Sequence, residues 1–392
     1  MNPDEIKRDF PILKGVIYMD SASTSLTPEP VLASILEYYR GYRANVGRGV
    51  YRLSRLADDV YRNAHRKVAG FIGADGGAVF TRNTTEAINA VAEGLKWRRG
   101  DVVVTTAAEH HSNLLPWMRL RERGVGLKIV EPDPDGSFDP ASFEAAIDGD
   151  TKLVAMTIAS NVLGTALPAR EVSEICRDRG ALFLLDGAQS VPHVSTDVGD
   201  LGCDYLCFSG HKMLGPSGTG VLWMREYDLS PLLVGGGAVE EVDLEGYTLK
   251  GGYEGHEAGS PDVAGGIGLG AAVDYLQRVG MEEIALHEGR LTRRLLAGLQ
   301  DIEGVEVYGP LDPDQRLGIV SFNVAGISPA EAAHLLDEGS DIMVRSGHHC
   351  CMPLMKHLGL PAGTVRASLY LYNTADEVEE LLEAVEEISK MA

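Results

Sequence analysis

Short apolar runs alternate with helical stretches from about residue 102 to residue 225, and this pattern restricts the fold of the chain more than any other. The apolar runs have the length of strands, and the segment 169–179 is typical of the helical stretches between them. The predicted strands cover residues 102–105, 127–130, 153–157, 181–185, 205–208 and 220–223. Such alternation predicts an α/β fold with a mostly parallel sheet sandwiched by helices.

A smaller α+β unit is predicted after a glycine-rich tract that ends near residue 266. Helical sequence covers about 267–299, with an interruption signal at Gly280, and residues 319–324 form a predicted strand. The last helix places its apolar residues on one face: Val378, Leu381, Leu382, Val385 and Ile388. We therefore expect a large domain and a small α+β domain, with the boundaries 16–285 for the first, and 1–15 together with 286–392 for the second.

Charge and cysteine content exclude several classes of protein. The chain has 392 residues with 35 basic and 57 acidic side chains, a net charge of −22, which disfavours nucleic acid and anionic membranes as partners. No run reaches the ~18 apolar residues that span a bilayer, and the first residues lack the pattern of a secretory signal. Five cysteines without the spacing of a disulfide framework or a zinc site favour a cytoplasmic protein with reduced thiols.

Asp186 and Lys212 are predicted to lie at the same edge of the sheet. Asp186 closes the strand 181–185, and Lys212 follows the strand 205–208. Ligands bind at the carboxyl ends of the strands in such sheets. A carboxylate for a pyridinium nitrogen and a lysine for covalent attachment are the groups that pyridoxal 5'-phosphate (PLP) requires. Taken singly, a turn-capping aspartate and a surface lysine are the ordinary interpretation, but the pair together with the motifs described below predicts a PLP site.

A phosphate site is predicted where Asn83 and Glu86 resemble a capping box at the start of a helix. Free N–H groups at a helix N-terminus bind anions, and Thr84 and Thr85 add hydroxyl donors. Most capped helices bind nothing, so the motif alone is a weak signal. Further polar residues follow the strands at the same edge, and they are Ser209 and His211 for the phosphate, His110 for stacking on the ring, Asn161 for the substrate carboxylate or the ring oxygen, and Gln189 for that oxygen.

These motifs resemble, in order, those of the fold-type I, class V aminotransferase-like family, and the chain is similar to its SufS-type (group II) cysteine desulfurase and selenocysteine lyase branch. The matching segments are 18–22, 83–86, 109–113, 160–165, 186–189, 209–212, 257–261 and 345–350. The last of these is the most specific, since it contains the cysteine that other PLP enzymes of the family lack. The resemblance covers nearly the whole chain.

The resemblance implies a role for each matched residue. Lys212 would bind PLP covalently and shuttle protons, Asp186 would hold the pyridinium, and Cys350 would be the nucleophile. The remaining implied roles are ring stacking for His110, a bond to the ring oxygen for Gln189, phosphate binding for Thr84, Thr85, Ser209 and His211, phosphate binding from the second subunit of a homodimer for Ser260, and substrate binding for Arg366, Asn161 and Arg345.

The chain departs from the family pattern near the entrance. Gly47 and Tyr51 stand where histidines are usual, and Arg48 between them is retained. Ser260 replaces a usual threonine and keeps the hydroxyl, and Cys351 replaces a small residue beside the nucleophile. Cys351 is either a second sulfur carrier or a packing residue, and we expect packing.

Cys350 is interpreted as a nucleophile, and two other interpretations of this residue are considered. Cationic groups favour the thiolate, and Arg345, His348 and His349 supply them. A structural cysteine is the commonest role, and a metal site is a further alternative because residues 348–351 are all ligand types. Four consecutive residues do not easily face one ion, so we expect no metal.

The expected function is that of a PLP-dependent cysteine desulfurase. L-Cysteine would become L-alanine, the sulfur would form a persulfide on Cys350, and a sulfur-acceptor protein of iron–sulfur cluster assembly would receive it. Three alternatives stay open at this point: a selenocysteine lyase acting on L-selenocysteine, another class V transaminase or lyase, and a non-catalytic PLP-fold scaffold.

Overall fold

The structure, a computed structural model, describes residues 1–391. Its β-strands are β1 (Ile17–Tyr18), β2 (Val79–Thr81), β3 (Val102–Thr106), β4 (Gly126–Val130), β5 (Thr151–Thr157), β6 (Leu182–Asp186), β7 (Tyr205–Ser209), β8 (Gly220–Met224), β9 (Val239–Val242), β10 (Tyr247–Leu249), β11 (Val305–Tyr308), β12 (Ile319–Val324), β13 (Ile342–Met343), β14 (Arg345–Gly347) and β15 (Thr364–Ser368).

Helices connect most of these strands and cover the sheets. The α-helices are α1 (Pro3–Lys7), α2 (Glu29–Glu37), α3 (Arg52–Phe71), α4 (Thr84–Gly94), α5 (Leu115–Arg119), α6 (Pro140–Ala146), α7 (Ala169–Arg179), α8 (Val198–Leu201), α9 (Val263–Val279), α10 (Met281–Asp301), α11 (Pro329–Ser340), α12 (Met352–His357) and α13 (Ala375–Ser389). Within residues 1–391, no helix is long and apolar enough to cross a lipid bilayer.

A seven-stranded sheet forms the centre of the fold, with the strand order β2-β8-β7-β6-β5-β3-β4. Strand β8 runs antiparallel to its neighbours β2 and β7, and the other neighbouring strands are parallel. The predicted α/β class with a mostly parallel sheet is therefore confirmed. The sequence pattern missed β2, a three-residue strand at the antiparallel edge.

Burial on both faces explains why β6 reads as a continuous apolar run. Phe183 and Leu185 belong to the hydrophobic cluster on one face of the sheet, and Leu184 belongs to the cluster on the other. Successive side chains of a strand point to opposite faces, so a strand covered by helices on both sides needs apolar residues throughout. Asp186 ends this run at the carboxyl edge.

A second sheet, with the order β11-β12-β15-β14, is antiparallel throughout. Helices α10 and α13 pack against it through buried apolar side chains such as Leu295 and Leu381. Of the predicted apolar face of α13, Leu382 is the member that is only partly buried. The region of this sheet corresponds to the small α+β unit that the sequence predicts.

The predicted helix over 267–299 is two helices, α9 and α10, which Gly280 separates. Gly280 has a φ of 94°, a conformation that residues with a side chain rarely adopt. The first residues of the chain contact both predicted units, because Lys7 pairs with Glu377 of α13 while Asp9 accepts a hydrogen bond from Tyr275 of α9. The predicted domain boundaries, 16–285 for the large unit, stay a prediction.

Candidate active site

A cavity of about 190 Å³ lies at the carboxyl ends of β3, β5, β6 and β7. Asp186 is the last residue of β6, and Lys212 lies in the single 3₁₀ turn after β7, so both reach this cavity. Burial of the Lys212 amine lowers its pKa to about 8, although the Asp186 carboxylate acts in the opposite direction. About a tenth of this amine is therefore uncharged at pH 7, the form that can accept a proton.

Asp186 is held in place by its own turn and is almost fully buried. Its Oδ1 accepts a hydrogen bond from the Ala188 N–H at 2.9 Å. Burial raises the pKa of Asp186, whereas this hydrogen bond and the charge of Lys212 lower it. A buried carboxylate at this point offers a strong partner for a cationic ring nitrogen.

The N-terminus of α4 forms one end of the cavity. Asn83 Oδ1 accepts from the Glu86 N–H at 2.9 Å, as the cap prediction expects, but Glu86 Oε2 accepts from the Arg82 N–H and not from the cap residue itself. The hydroxyls of Thr84 and Ser209 lie 2.6 Å apart. Donors and free N–H groups thus converge at this end, an arrangement suited to a phosphate.

Gly220 of β8 allows this close arrangement. A Cβ atom on Gly220 would lie 2.4 Å from the Asn83 Cα atom, far inside van der Waals contact. Only glycine therefore lets the strand approach the cap of α4. The second threonine of the motif, Thr85, bonds to Ser112 with 2.7 Å between the two hydroxyl oxygens.

His110 presents a neutral imidazole to the cavity. Its Nδ1 accepts a hydrogen bond from the Ser112 N–H at 3.1 Å, which fixes the ring orientation. Burial, and next the charge of Lys212, lower the pKa of His110 to about 3. An uncharged flat ring in a fixed position can stack on an aromatic cofactor without bringing in a positive charge.

Gln189 and His211 complete the group of predicted cofactor residues that line the cavity. Gln189 Nε2 donates to the Ala22 carbonyl oxygen at 2.9 Å, and its buried Oε1 has no partner among the described residues. The amide therefore has hydrogen-bonding capacity left for a bound group. With Lys212, Asp186 and the α4 terminus, the residues present fit PLP.

Arg366 of β15 is fully buried and lines the same cavity. Its Nη1 donates to the Asn161 carbonyl oxygen at 2.8 Å, and its Nη2 donates to Asp20 Oδ1 at 2.7 Å. Burial lowers the pKa of Arg366, and the Asp20 carboxylate opposes this effect. The guanidinium is thus held rigidly, and its planar fork is suited to a carboxylate ligand.

Cys350 lies in the loop after β14, in contact with Arg345 and within electrostatic range of Lys212. Arg345 Nη2 lies 3.7 Å from Cys350 Sγ, and the thiol is near enough to Lys212 to influence the pKa of that amine. The Cys350 carbonyl oxygen accepts from the His111 N–H at 2.8 Å. The sulfur is therefore placed beside the Arg345 guanidinium, and its charge acts on the amine at position 212.

The backbone around Cys350 adopts an unusual conformation. His349 has a φ of 51° and Cys350 a φ of 58°, values that residues with a Cβ atom rarely adopt. The buried His349 imidazole holds this turn, since its Nε2 lies 2.9 Å from Thr364 Oγ1. The position of the thiol therefore depends on contacts outside the loop.

The side chains of residues 348–351 have different partners. His348 Nε2 lies 2.8 Å from the Pro361 carbonyl oxygen, His349 contacts Thr364, and Cys351 Sγ faces the Ala107 carbonyl oxygen at 3.7 Å. Cys351 is fully buried, and burial raises the pKa of its thiol. These four side chains do not point at a common ion, and Cys351 is packed inside the protein.

Ser260 lies apart from this cavity within the single chain. It lines a different cavity of about 410 Å³, together with Glu257 and Asp262. The prediction that Ser260 reaches the phosphate of a second subunit stays a prediction.

At the predicted entrance, Gly47, Arg48 and Tyr51 are exposed and are not among the residues that line the cavity around Lys212.

Sequence reasoning assigned no role to Asp20, Ser23 or Ser112, although all three contact predicted site residues. Asp20 and Ser23 follow within five residues of the end of β1, and the matched motif 18–22 contains the first of them. A polar pair after a short strand was the available signal. Their partners are far away in sequence, so the signal did not identify a function.

Comparisons with known proteins agree with this geometry. Residues 17–381 match the family model described as aminotransferase class-V. A probable cysteine desulfurase of Methanothermobacter thermautotrophicus is 47% identical over 100% of this chain and 99% of its own length. One of Pyrococcus abyssi is 45% identical over 99% and 98% of the two lengths.

Two solved structures have closely similar folds. The apo structure of a cysteine desulfurase from Thermococcus onnurineus superposes with a TM-score of 0.97, at 46% identity over 100% of this chain and 99% of that one. The cysteine desulfurase CsdA of Escherichia coli, in an S-sulfonic acid form, gives a TM-score of 0.92 at 31% identity over the same shares of the two chains.

Proposed function

We infer, from the premise that this chain belongs to the class-V aminotransferase family, that it is a PLP-dependent cysteine desulfurase. It converts L-cysteine to L-alanine and collects the sulfur on Cys350. One observation carries the proposal: the Lys212 amine and the buried Arg366 guanidinium line one cavity together with Arg345, whose Nη2 lies 3.7 Å from the Cys350 thiol. A transaminase needs the amine and the guanidinium but has no use for the thiol.

The cofactor site uses the groups at the sheet edge. When bound, PLP supplies an electron sink that stabilises negative charge at the substrate α carbon. Asp186 would bind the ring nitrogen, His110 would stack on the ring, and the α4 terminus with Thr84, Thr85, Ser209 and His211 would bind the phosphate. Lys212 would hold the cofactor, and its amine would take the α proton of the substrate and return a proton to the product. A pKa of about 8 suits an amine to both steps.

The substrate carboxylate binds at Arg366, beside Asn161. Arg366 is already held by the Asn161 carbonyl oxygen and by Asp20, so little ordering is required when the substrate arrives. The β carbon and its sulfur then extend toward Cys350. This orientation separates the carboxylate, which is only bound, from the sulfur, which reacts.

The sulfur transfer is a displacement at the substrate sulfur atom. The Cys350 thiolate forms a new S–S bond, the C–S bond breaks, and its electron pair stays with the substrate β carbon. A proton added there gives the methyl group of L-alanine, and the enzyme retains the sulfur as a persulfide on Cys350. A thiol of an acceptor protein of iron–sulfur cluster assembly then takes the terminal sulfur and returns the thiolate.

The proposal extends to the assembly and its location. Two copies of the chain form a homodimer in which Ser260 of each contributes to the phosphate site of the other. The enzyme acts in the cytoplasm, which suits its five free cysteines. Arg345 lies next to Cys350, and its positive charge helps to bind the substrate where the sulfur is transferred.

The test is an assay of purified protein that contains PLP, with L-cysteine and a thiol reductant. Alanine and sulfide should form in equal amounts, and L-selenocysteine assayed in parallel measures the preference between the two substrates.

Lys212→Ala should form neither product. Cys350→Ala should keep the visible absorbance of bound PLP and release no sulfide, whereas the matched control Cys176→Ala, which alters a buried thiol of α7, should behave as wild type. Alanine without sulfide in the wild type, or full sulfide release by Cys350→Ala, would refute the proposal.

A further inference from the structure

Arg345 and Arg366 are direct cross-strand neighbours in the small sheet. The register of β14 and β15 pairs their Cα atoms. Like charges in this position repel each other and destabilise a sheet. Something must therefore hold the two guanidinium groups together, and the residues that do so determine where each group points.

Ser23 is the residue that joins them. Its hydroxyl oxygen accepts a hydrogen bond from Arg345 Nη1 at 3.0 Å and another from Arg366 Nη2 at 2.7 Å. The same hydroxyl donates to Asp20 Oδ1 at 2.7 Å. A serine hydroxyl has one donor and two acceptor positions, so this side chain uses its full capacity.

The two guanidinium groups differ in their freedom to move. Arg366 is fully buried and keeps the Asn161 carbonyl oxygen and Asp20 as partners without Ser23. Arg345 is only half-buried, and its Nη1 bonds to Ser23 while its Nη2 faces Cys350 Sγ at 3.7 Å. If the Ser23 hydroxyl is removed, repulsion between the two cations moves Arg345 rather than Arg366.

We propose that Ser23 is a positioning residue that holds the guanidinium of Arg345 against the thiol of Cys350. The inference rests on the proposed role of Cys350 as the attacking thiol, and it adds the residue that keeps a cation beside that thiol. Two other titratable residues adjoin Cys350: the charge of Lys212, from the turn after β7, interacts with the thiol, and the backbone N–H of His111, from the turn after β3, bonds to the Cys350 carbonyl oxygen. Neither of them contacts Ser23 by a hydrogen bond.

The test measures how fast iodoacetamide alkylates Cys350 in the PLP-containing protein, by mass spectrometry of the peptide with this residue. Cys350 is half-exposed and the other four cysteines are buried, so the reaction is selective. At about pH 7, Ser23→Ala should slow alkylation roughly three- to tenfold, because the Arg345 guanidinium then no longer lies against the sulfur to stabilise negative charge on it. At about pH 10, where thiols are ionised in any case, the two rates should agree.

Three comparisons separate positioning from a structural effect. Ser23→Thr keeps the hydroxyl and should restore the rate, and Ser34→Ala, which removes a hydroxyl bonded to the Val31 carbonyl oxygen in α2, should leave it unchanged. The double variant Ser23→Ala with Arg345→Gln should be no slower than Arg345→Gln alone, since both act through one contact. A wild-type rate in Ser23→Ala, an equal loss at both pH values, or additive losses in the double variant would each overturn the inference.

Alkylation requires no turnover of L-cysteine. A wild-type protein that forms no alanine would refute the desulfurase proposal, while the comparison of Ser23→Ala with wild type would still decide the position of Arg345. The two proposals can therefore fail separately.

Discussion

The side-chain amide of Asn161 donates a hydrogen bond to the carbonyl oxygen of His349, at 2.7 Å. This contact ties the loop after β5 to the residue that precedes Cys350. Since the Asn161 carbonyl oxygen also accepts from Arg366, one residue links the substrate carboxylate site to the nucleophile. The nucleophile loop and the carboxylate site are therefore parts of one connected unit.

Removal of this amide should impair sulfur transfer more than cofactor binding. In Asn161→Ala, the turn at His349 loses an anchor, and we expect alanine formation to fall roughly 10- to 100-fold because misplacement of a reacting group by about 1 Å has effects of this size. The absorbance of bound PLP should stay at the wild-type level. The control is Gln300→Ala in α10, whose amide also donates to a backbone carbonyl oxygen. A wild-type rate of alanine formation in Asn161→Ala would contradict this account.

Arg366→Lys should weaken substrate binding selectively. One ammonium group cannot serve the Asn161 carbonyl oxygen, Asp20 and an incoming carboxylate with the geometry of a planar fork. We expect KM for L-cysteine to rise by roughly tenfold or more, with a smaller change in kcat. Titration with the product L-alanine, followed by PLP absorbance, measures carboxylate binding directly. Unchanged affinity for L-alanine would exclude Arg366 as the carboxylate site.

Cys351→Ala should leave catalysis nearly intact. The Cys351 thiol is fully buried, faces the Ala107 carbonyl oxygen, and has a raised pKa because of its burial. Alanine formation should stay within about twofold of wild type, and the variant should unfold about 1 to 2 kcal/mol more easily because a small buried group is lost. Persulfide found by mass spectrometry on Cys351 in the wild type would show that this thiol carries sulfur, contrary to our expectation.

His65→Phe should reduce the acid sensitivity of the fold. His65 lies between the rings of Phe80 and Tyr253, and burial lowers its pKa from 6.5 to about 4. Between these pH values the unfolded chain binds a proton that the folded protein does not, so stability is lost as the pH falls, by at most about 1.4 kcal/mol per pH unit for this group.

Phenylalanine cannot bind that proton. The free energy of unfolding of His65→Phe, measured by denaturant titration from about pH 8 to pH 4, should therefore fall less steeply than that of the wild type. At about pH 8 the variant should be less stable by about 1 kcal/mol, since the hydrogen bond between His65 Nδ1 and the Ala78 carbonyl oxygen is lost. Parallel curves for the two proteins would show that His65 is protonated equally in the folded and unfolded states.

The parts of the site at the large sheet could be predicted from sequence because they depend on local patterns. A buried parallel strand is an apolar run, and the residue that ends it lies at the carboxyl edge, so the amino-acid pattern alone was enough to place Asp186 and Lys212 together. Strand β2 could not be found in this way. It has three residues, lies at an antiparallel edge, and carries only weak periodicity.

The contacts among Asp20, Ser23, Arg345 and Arg366 could not be predicted, because they depend on long-range register. Arg345 opposes Arg366 only because β14 pairs with β15 as it does, and Asp20 reaches them through a bridge between its own backbone and Ser368. No periodicity in a single segment contains that information. The family resemblance supplied Arg366 and Cys350, but it gave no reason to consider Ser23, which joins Arg345 and Arg366.

His349 and Cys350 adopt left-handed backbone conformations that cost of order 1 to 3 kcal/mol each, and contacts with Thr364 and Asn161 hold them there. A designer who grafted residues 348–351 into an unrelated scaffold would transfer the cysteine without these supports, and the peptide would relax to ordinary dihedral angles. The position of the reactive thiol therefore cannot be transferred to another protein by residues 348–351 alone. An engineered sulfur-transfer enzyme of this kind would have to import the supporting strand and the neighbouring loop as well.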